Sequence, residues 1–134
     1  MRLVVDTNVF VSAALKQSGW PAHTIRWVSQ YGGLLKSEAT EQELLAVLQR
    51  PRFAEKFPPW FLPEVRRILD AAEPVPIVEL IALCRDREDD KFLELAVNGR
   101  ADLIVSGDAD LLSLDEVRGI PIVSPAAFVR TGTR

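Results

Sequence analysis

One cysteine and one histidine occur in 134 residues, and this scarcity removes several chemistries at once. A lone Cys84 cannot form an internal disulfide and suits a reducing, cytoplasmic setting. With His23 as the only imidazole, a nucleophile–base triad and a His/Cys zinc site both lack parts. No glycine-rich GxxxxGK(S/T) phosphate loop is present. No apolar run is long enough to span a bilayer, and Leu3–Val5, stopped by Asp6, does not read as a signal-peptide core. Cationic excess is missing too. A net charge of −3 excludes a protein that holds nucleic acid by charge alone. It does not exclude a nuclease, whose acidic centre counts as negative until a cation sits in it.

What the chain does have is apolar content, 48% of residues, enough to bury the core of one domain. That domain is expected over residues 1–130, with 131–134 as a disordered tail. Two apolar runs, Leu3-Val4-Val5 and Leu103-Ile104-Val105, read as strands buried on both faces, the kind that builds a parallel sheet. Further strands are expected at residues 34–35, at 75–78 as an edge, and at 120–123. Helical spacing predicts helices over residues 7–15, 22–31, 40–50, 61–72 and 90–97, with Pro63 breaking the start of the fourth. Strands alternating with helices mean an α/β domain around a mainly parallel sheet.

Both long apolar runs end in a carboxylate, Asp6 directly and Asp108 after Ser106-Gly107. In open parallel sheets the carboxyl ends of the strands line the ligand crevice. On neighbouring strands, about 4.8 Å apart, these two side chains could share one cation. Each could equally cap the helix or turn that follows. Glu43 borders the buried stripe of its helix beside Val47, whereas Glu41 fits the ordinary acidic first turn. Asp86, Glu88, Asp89 and Asp90 precede an apolar helix; Asp86 and Glu88 read as solvated loop, and one of Asp89 and Asp90 can cap while the other faces the crevice. Glu94 shares a face with Asp90, and Asp110 lies within reach of Asp108. Two unit charges 4 Å apart repel by about 1 kcal/mol in water and about 4 kcal/mol at an effective dielectric of 20. Divalent cations would offset such crowding, and oxygen-only ligands favour Mg²⁺ or Mn²⁺. Metal-activated water is the remaining route to hydrolysis, and paired metals on carboxylates commonly serve phosphodiester cleavage.

At this point the chain resembles the PIN-domain ribonucleases, and within them the VapC-like toxins of toxin–antitoxin pairs. The resemblance rests on VVDTNV at residues 4–9, Ser37, ELLAVL at 43–48 and RPRF at 50–53. It continues with DREDDKFLELA at 86–96, SGDADLL at 106–112, GIPIVSP at 119–125 and Phe128, in that order. It implies a PIN-like three-layer α/β/α fold with a five-stranded, mainly parallel sheet and Mg²⁺ or Mn²⁺ at its carboxyl edge. By the same resemblance, Asp6, Glu43, Asp90 and Asp108 are the catalytic and metal-binding quartet. Asp110 matches a fifth acidic position, and Thr7, Asn8 and Ser106 match polar positions that orient carboxylates or water. Asp89 and Glu94 stand as supporting carboxylates.

Arg50, Arg52 and Lys56 are candidates for holding RNA phosphates, while Arg66 and Arg67 read as solvated helix surface. Phe53, Phe57, Trp60 and Phe61 crowd a proline-punctuated stretch that is either core or interface. The resemblance implies an RNA substrate, an antitoxin partner and a homodimer, with no membrane. Two other readings stay open. A haloacid-dehalogenase-type phosphatase also begins with an Asp closing its first strand, but its second Asp would fall on Asn8. A non-catalytic binding module could retain the fold.

Overall fold

The computed structural model describes residues 1–132. Its first strand, β1 (Leu3–Val5), is buried along its whole length. Leu3 and Val5 belong to one apolar cluster and Val4 to another, as alternation across a sheet covered on both faces requires. The first cluster is built from α1 (Thr7–Leu15), α2 (Trp20–Tyr31), α3 (Glu38–Leu48) and α5 (Phe61–Ala71); the second centres on α6 (Asp90–Gly99). The result is the expected α/β/α layering.

In place of the single five-stranded sheet expected, the mainly parallel sheet is present as two ladders, of four strands and of two. One has the order β1, β4 (Leu103–Val105), β6 (Ile120–Val123), β5 (Glu116–Val117); the other pairs β2 (Leu35–Lys36) with β3 (Glu73–Pro74). A single parallel bridge, Leu3 to Leu34, ties the ladders together. All pairings are parallel except β5 with β6. That hairpin turns through Arg118 and Gly119, both at positive φ, the geometry a two-residue turn needs to match strand twist. Arg-Gly is a weak turn signal, so β5 is not apparent in the sequence.

Three boundaries differ from expectation for local reasons. The third strand lies at 73–74, not 75–78, because only Glu73 and Val75 offer N–H groups to Leu34 and Lys36, while Pro74 and Pro76 offer none. Pro63 does not break α5, since it occupies the first turn, where a backbone N–H has no helical partner. A short helix, α4 (Pro51–Ala54), follows α3 after one linking turn. Thr131 and Gly132 continue the C-terminal helical turn beyond α8 (Pro125–Ala127). The rest of the expected tail, Thr133 and Arg134, lies outside the described residues. No helix among the described residues is long and apolar enough to cross a membrane.

Candidate active site

The parallel register decides what meets at the carboxyl edge. Val5 is paired with Val105, and Val105 with Val123, so Asp6 and Ser106 leave adjacent strands side by side. Ser106, fully buried, donates its hydroxyl to Asp6 Oδ2 at 2.8 Å, and the Asn8 N–H donates to Asp6 Oδ1 at 3.2 Å. The second bond makes Asp6 the N-cap of α1. Capping does not exclude facing the crevice, and Asp6 does both. Burial, against the help of Ser106 and Asn8, raises its pKa, and Asp108 and Glu43 add to the rise through their charge.

Asp108 follows two residues after Ser106 and caps α7 (Ala109–Ser113) through the Asp110 N–H at 2.9 Å. Its own N–H donates to Ser106 Oγ at 3.0 Å. One serine hydroxyl therefore braces both strand-end aspartates. Glu43 reaches the same crevice from α3. Thr7 donates to its Oε2 at 2.5 Å and Lys91 to its Oε1 at 2.7 Å.

The third acidic position is where structure and expectation part. Asp89 closes a 3-10 turn (Arg87–Asp89) and sits in hydrogen-bonding contact with Asp108. Its pKa is raised to about 7, first by burial, then by the charge of Asp108 and a hydrogen bond with it, with Asp6 adding further. Asp90, placed in the quartet by resemblance, is turned away. Its Oδ1 accepts from the N–H groups of Cys84 at 2.8 Å and Leu83 at 3.1 Å. Burial raises the Asp90 carboxyl, but those N–H groups, the Cys84 thiol and Arg87 more than offset it, so its pKa lies below the ordinary value. Glu94 is likewise committed elsewhere, to the Ile81 N–H at 3.0 Å. Asn98, one turn on, accepts from Val78 and Glu79. Asp90, Glu94 and Asn98 thus form a stripe along α6 that satisfies an extended segment lacking a strand partner. Asp110 contributes its backbone N–H, and its side chain is exposed.

Lys91 is the residue the sequence reading missed. A lysine in the first turn of α6 opposes the helix dipole, a local cost that signals an anionic tertiary partner. Here the partners are Glu43 and, at 3.4 Å, Glu88. Burial lowers the Lys91 pKa, but the two carboxylates outweigh it and the net shift is upward. Arg50 and Arg52 line a cleft of about 220 Å³ together with Asp6, Glu43 and Asp89. The Arg52 guanidinium lies 4.6 Å from the Phe53 ring centroid. Lys56 is exposed and outside this lining. Arg67 pairs with Glu64. In the aromatic stretch Phe61 is core and Trp60 is 55% exposed.

Among the described residues no three carboxylates already converge on one point. Asp89 and Asp108 meet, while Asp6 and Glu43 are held by neighbouring hydroxyls and Lys91. The donor set nonetheless suits a hard divalent cation: all oxygen, with Asp6 and Asp89 pushed toward the protonated form by burial and mutual repulsion. A divalent charge would replace those protons.

Residues 2–110 match the PIN-domain family. The chain is also similar to the uncharacterized protein MJ1680 of Methanocaldococcus jannaschii, 28% identical over 122 residues, covering 85% of this chain and 75% of that one. Two solved structures share the fold. VapBC2 from Rickettsia felis, bound to a DNA fragment from its promoter, aligns with a TM-score of 0.59 at 13% identity, over 92% of this chain and 98% of that one. PAE2754 from Pyrobaculum aerophilum aligns with a TM-score of 0.58 at 18% identity, over 100% and 91%.

Proposed function

This chain belongs to the PIN-domain family, a family of nucleases, and from that premise we propose that it is a divalent-metal-dependent endoribonuclease, the toxin of a toxin–antitoxin pair. The observation that carries the reading is the meeting of Asp89 with Asp108, beside buried Asp6 and across from Glu43, at the carboxyl edge of a parallel sheet. Asp6, Glu43, Asp89 and Asp108 would hold the metal, Mg²⁺ or Mn²⁺. When bound, such a cation acidifies water and offsets the charge gained by the phosphodiester in the transition state.

The chain's own residues then divide the work. Ser106 holds the orientation of Asp6 through Oδ2 and ties the Asp108 backbone to the same hydroxyl, so two strand ends share one brace. Thr7 and Lys91 keep Glu43 aimed into the crevice. Arg50 and Arg52 supply the positive field that an anionic backbone needs to approach an acidic centre. The toxin assignment is supported by the shared fold with VapBC2. An antitoxin partner and a homodimer belong to the same reading.

The test uses purified full-length protein and a labelled RNA. Cleavage is expected with Mn²⁺ or Mg²⁺, and loss of cleavage with chelator or in Asp6→Asn. Undiminished cleavage by Asp6→Asn, or by chelated protein, would overturn the proposal.

A further inference from the structure

A second cleft adjoins the acidic centre and differs in character from the arginine-lined one. It encloses about 460 Å³, within the range of small-molecule sites. Asn8 borders both clefts, and Asp108 stands in the wall of the second. No lysine or arginine lines this second cleft. A phosphate lodged there would find no cationic side chain in the wall, only a metal held at its edge by Asp108. Besides Asp108, the polar side chains are neutral: the Asn8 amide and the Ser12 hydroxyl, one turn apart on α1 and both exposed. The remaining walls include Val9, Pro21 and Pro125.

We propose that this cleft is a nucleobase subsite, taking an unstacked base of the nucleotide next to the scissile phosphate. The inference rests on the ribonuclease reading above and adds where the base goes. Single-stranded RNA is recognised through splayed bases, packed by their faces and hydrogen-bonded at their edges. An amide presents one acceptor and two donors, and a hydroxyl can do either, so Asn8 and Ser12 match a base edge. Pro21, half-buried, is the apolar wall open to a base face, backed by buried Val9 and Pro125. The two clefts then share a strand, with phosphates on the Arg50 and Arg52 side and the base on the Asn8 and Ser12 side.

The experiment first maps the main cut that the wild-type protein makes in a short RNA. Oligonucleotides are then made with an abasic ribose at either nucleotide flanking the cut, or three positions away. Abasic ribose keeps the sugar and phosphate, so it isolates the base. One flanking substitution is expected to slow cleavage at least tenfold, and the distant one less than twofold. Ser12→Trp, at an exposed helix position, fills the cleft; Ala109→Trp, exposed on its other side, is the second variant if the first misfolds. In the filled protein, intact RNA is expected to be cut no faster than the wild-type protein cuts the abasic RNA, and the two substrates to differ less than twofold. Equal rates on intact and flanking-abasic RNA by wild type would refute the subsite alone. So would a base preference that survives filling. Absence of metal-dependent RNA cleavage by wild type would sink the ribonuclease reading and this subsite with it.

Discussion

Removing the Asp90 carboxylate and removing the Asp89 carboxylate should have opposite consequences, although the residues are adjacent. Asp90 Oδ1 accepts two backbone N–H groups, from Leu83 and Cys84, and the residue is buried. A hydrogen bond to a charged group contributes about 1.5–3 kcal/mol. Water can reach part of this loop, where the Leu83 side chain is exposed, so the lower end applies, about 3 kcal/mol for Asp90→Ala. Asp90→Asn keeps an acceptor oxygen and loses only charge assistance, about 1–1.5 kcal/mol. Unfolding entropy near 2.1 cal/mol/K per residue makes 1 kcal/mol worth about 3–4 °C in a chain of this length. Asp90→Ala should therefore melt about 10 °C lower, and Asp90→Asn about 4–5 °C lower. Asp89→Asn removes a carboxylate crowded by Asp108 and Asp6. Its partial exposure limits the relief to about 1 kcal/mol or less, so its melting point should hold or rise slightly.

Activity should run the other way. At a temperature where all variants are folded, Asp90→Asn should retain RNA cleavage within about tenfold of wild type, whereas Asp89→Asn should lose it. Thermal melts by circular dichroism, paired with single-turnover cleavage, read both quantities. A folded but inactive Asp90→Asn alongside an active Asp89→Asn would show that the assignment is reversed.

The metal-free protein should be less stable at pH 8 than at pH 5. Asp89 binds its proton more tightly folded than unfolded, so its penalty is full above about pH 7 and relieved as pH falls toward the ordinary carboxylate range. Between pH 8 and pH 5 linkage caps the effect at about 2.7 kcal/mol, and partial exposure reduces it to about 1 kcal/mol; saturating Mn²⁺ should narrow the gap, and a pH-independent melting point would contradict the site electrostatics. Ser106→Ala strips the buried Asp6 of one of its two partners and should lower stability by about 1–2 kcal/mol and cleavage by about 10–100-fold; wild-type rates would dismiss the bracing role. In Lys91→Met the ammonium that keeps Glu43 aimed into the crevice is lost, so calorimetry should find weaker Mn²⁺ binding, and tighter binding would mean that Lys91 competes with the cation for Glu43 instead.

Much of the site was legible locally. Asp6 and Asp108 announce themselves by ending apolar runs, and burial on both faces is a property of three consecutive apolar residues, Leu3–Val5. Glu43 is marked by its place beside a buried stripe. Lys91 went unnoticed because its partner, Glu43, is 48 residues away. Glu94 was drawn in by sharing a helix face with Asp90, a relation that is real but points both residues at the segment before the 3-10 turn. That segment, residues 78–84, has N–H groups and no strand to receive them, and the proline pattern preceding it gives no hint of where they go.

From its own chemistry the chain determined the strand and helix periods and a set of carboxylates at strand and helix ends, since each depends on neighbours within a few positions. Tertiary structure alone decided which of Asp89 and Asp90 enters the crevice. Consecutive residues at a helix start point about 100° apart, and nothing local ranks one direction over the other. The unpaired N–H groups of Leu83 and Cys84 claim Asp90, and Asp89 is left to face Asp108.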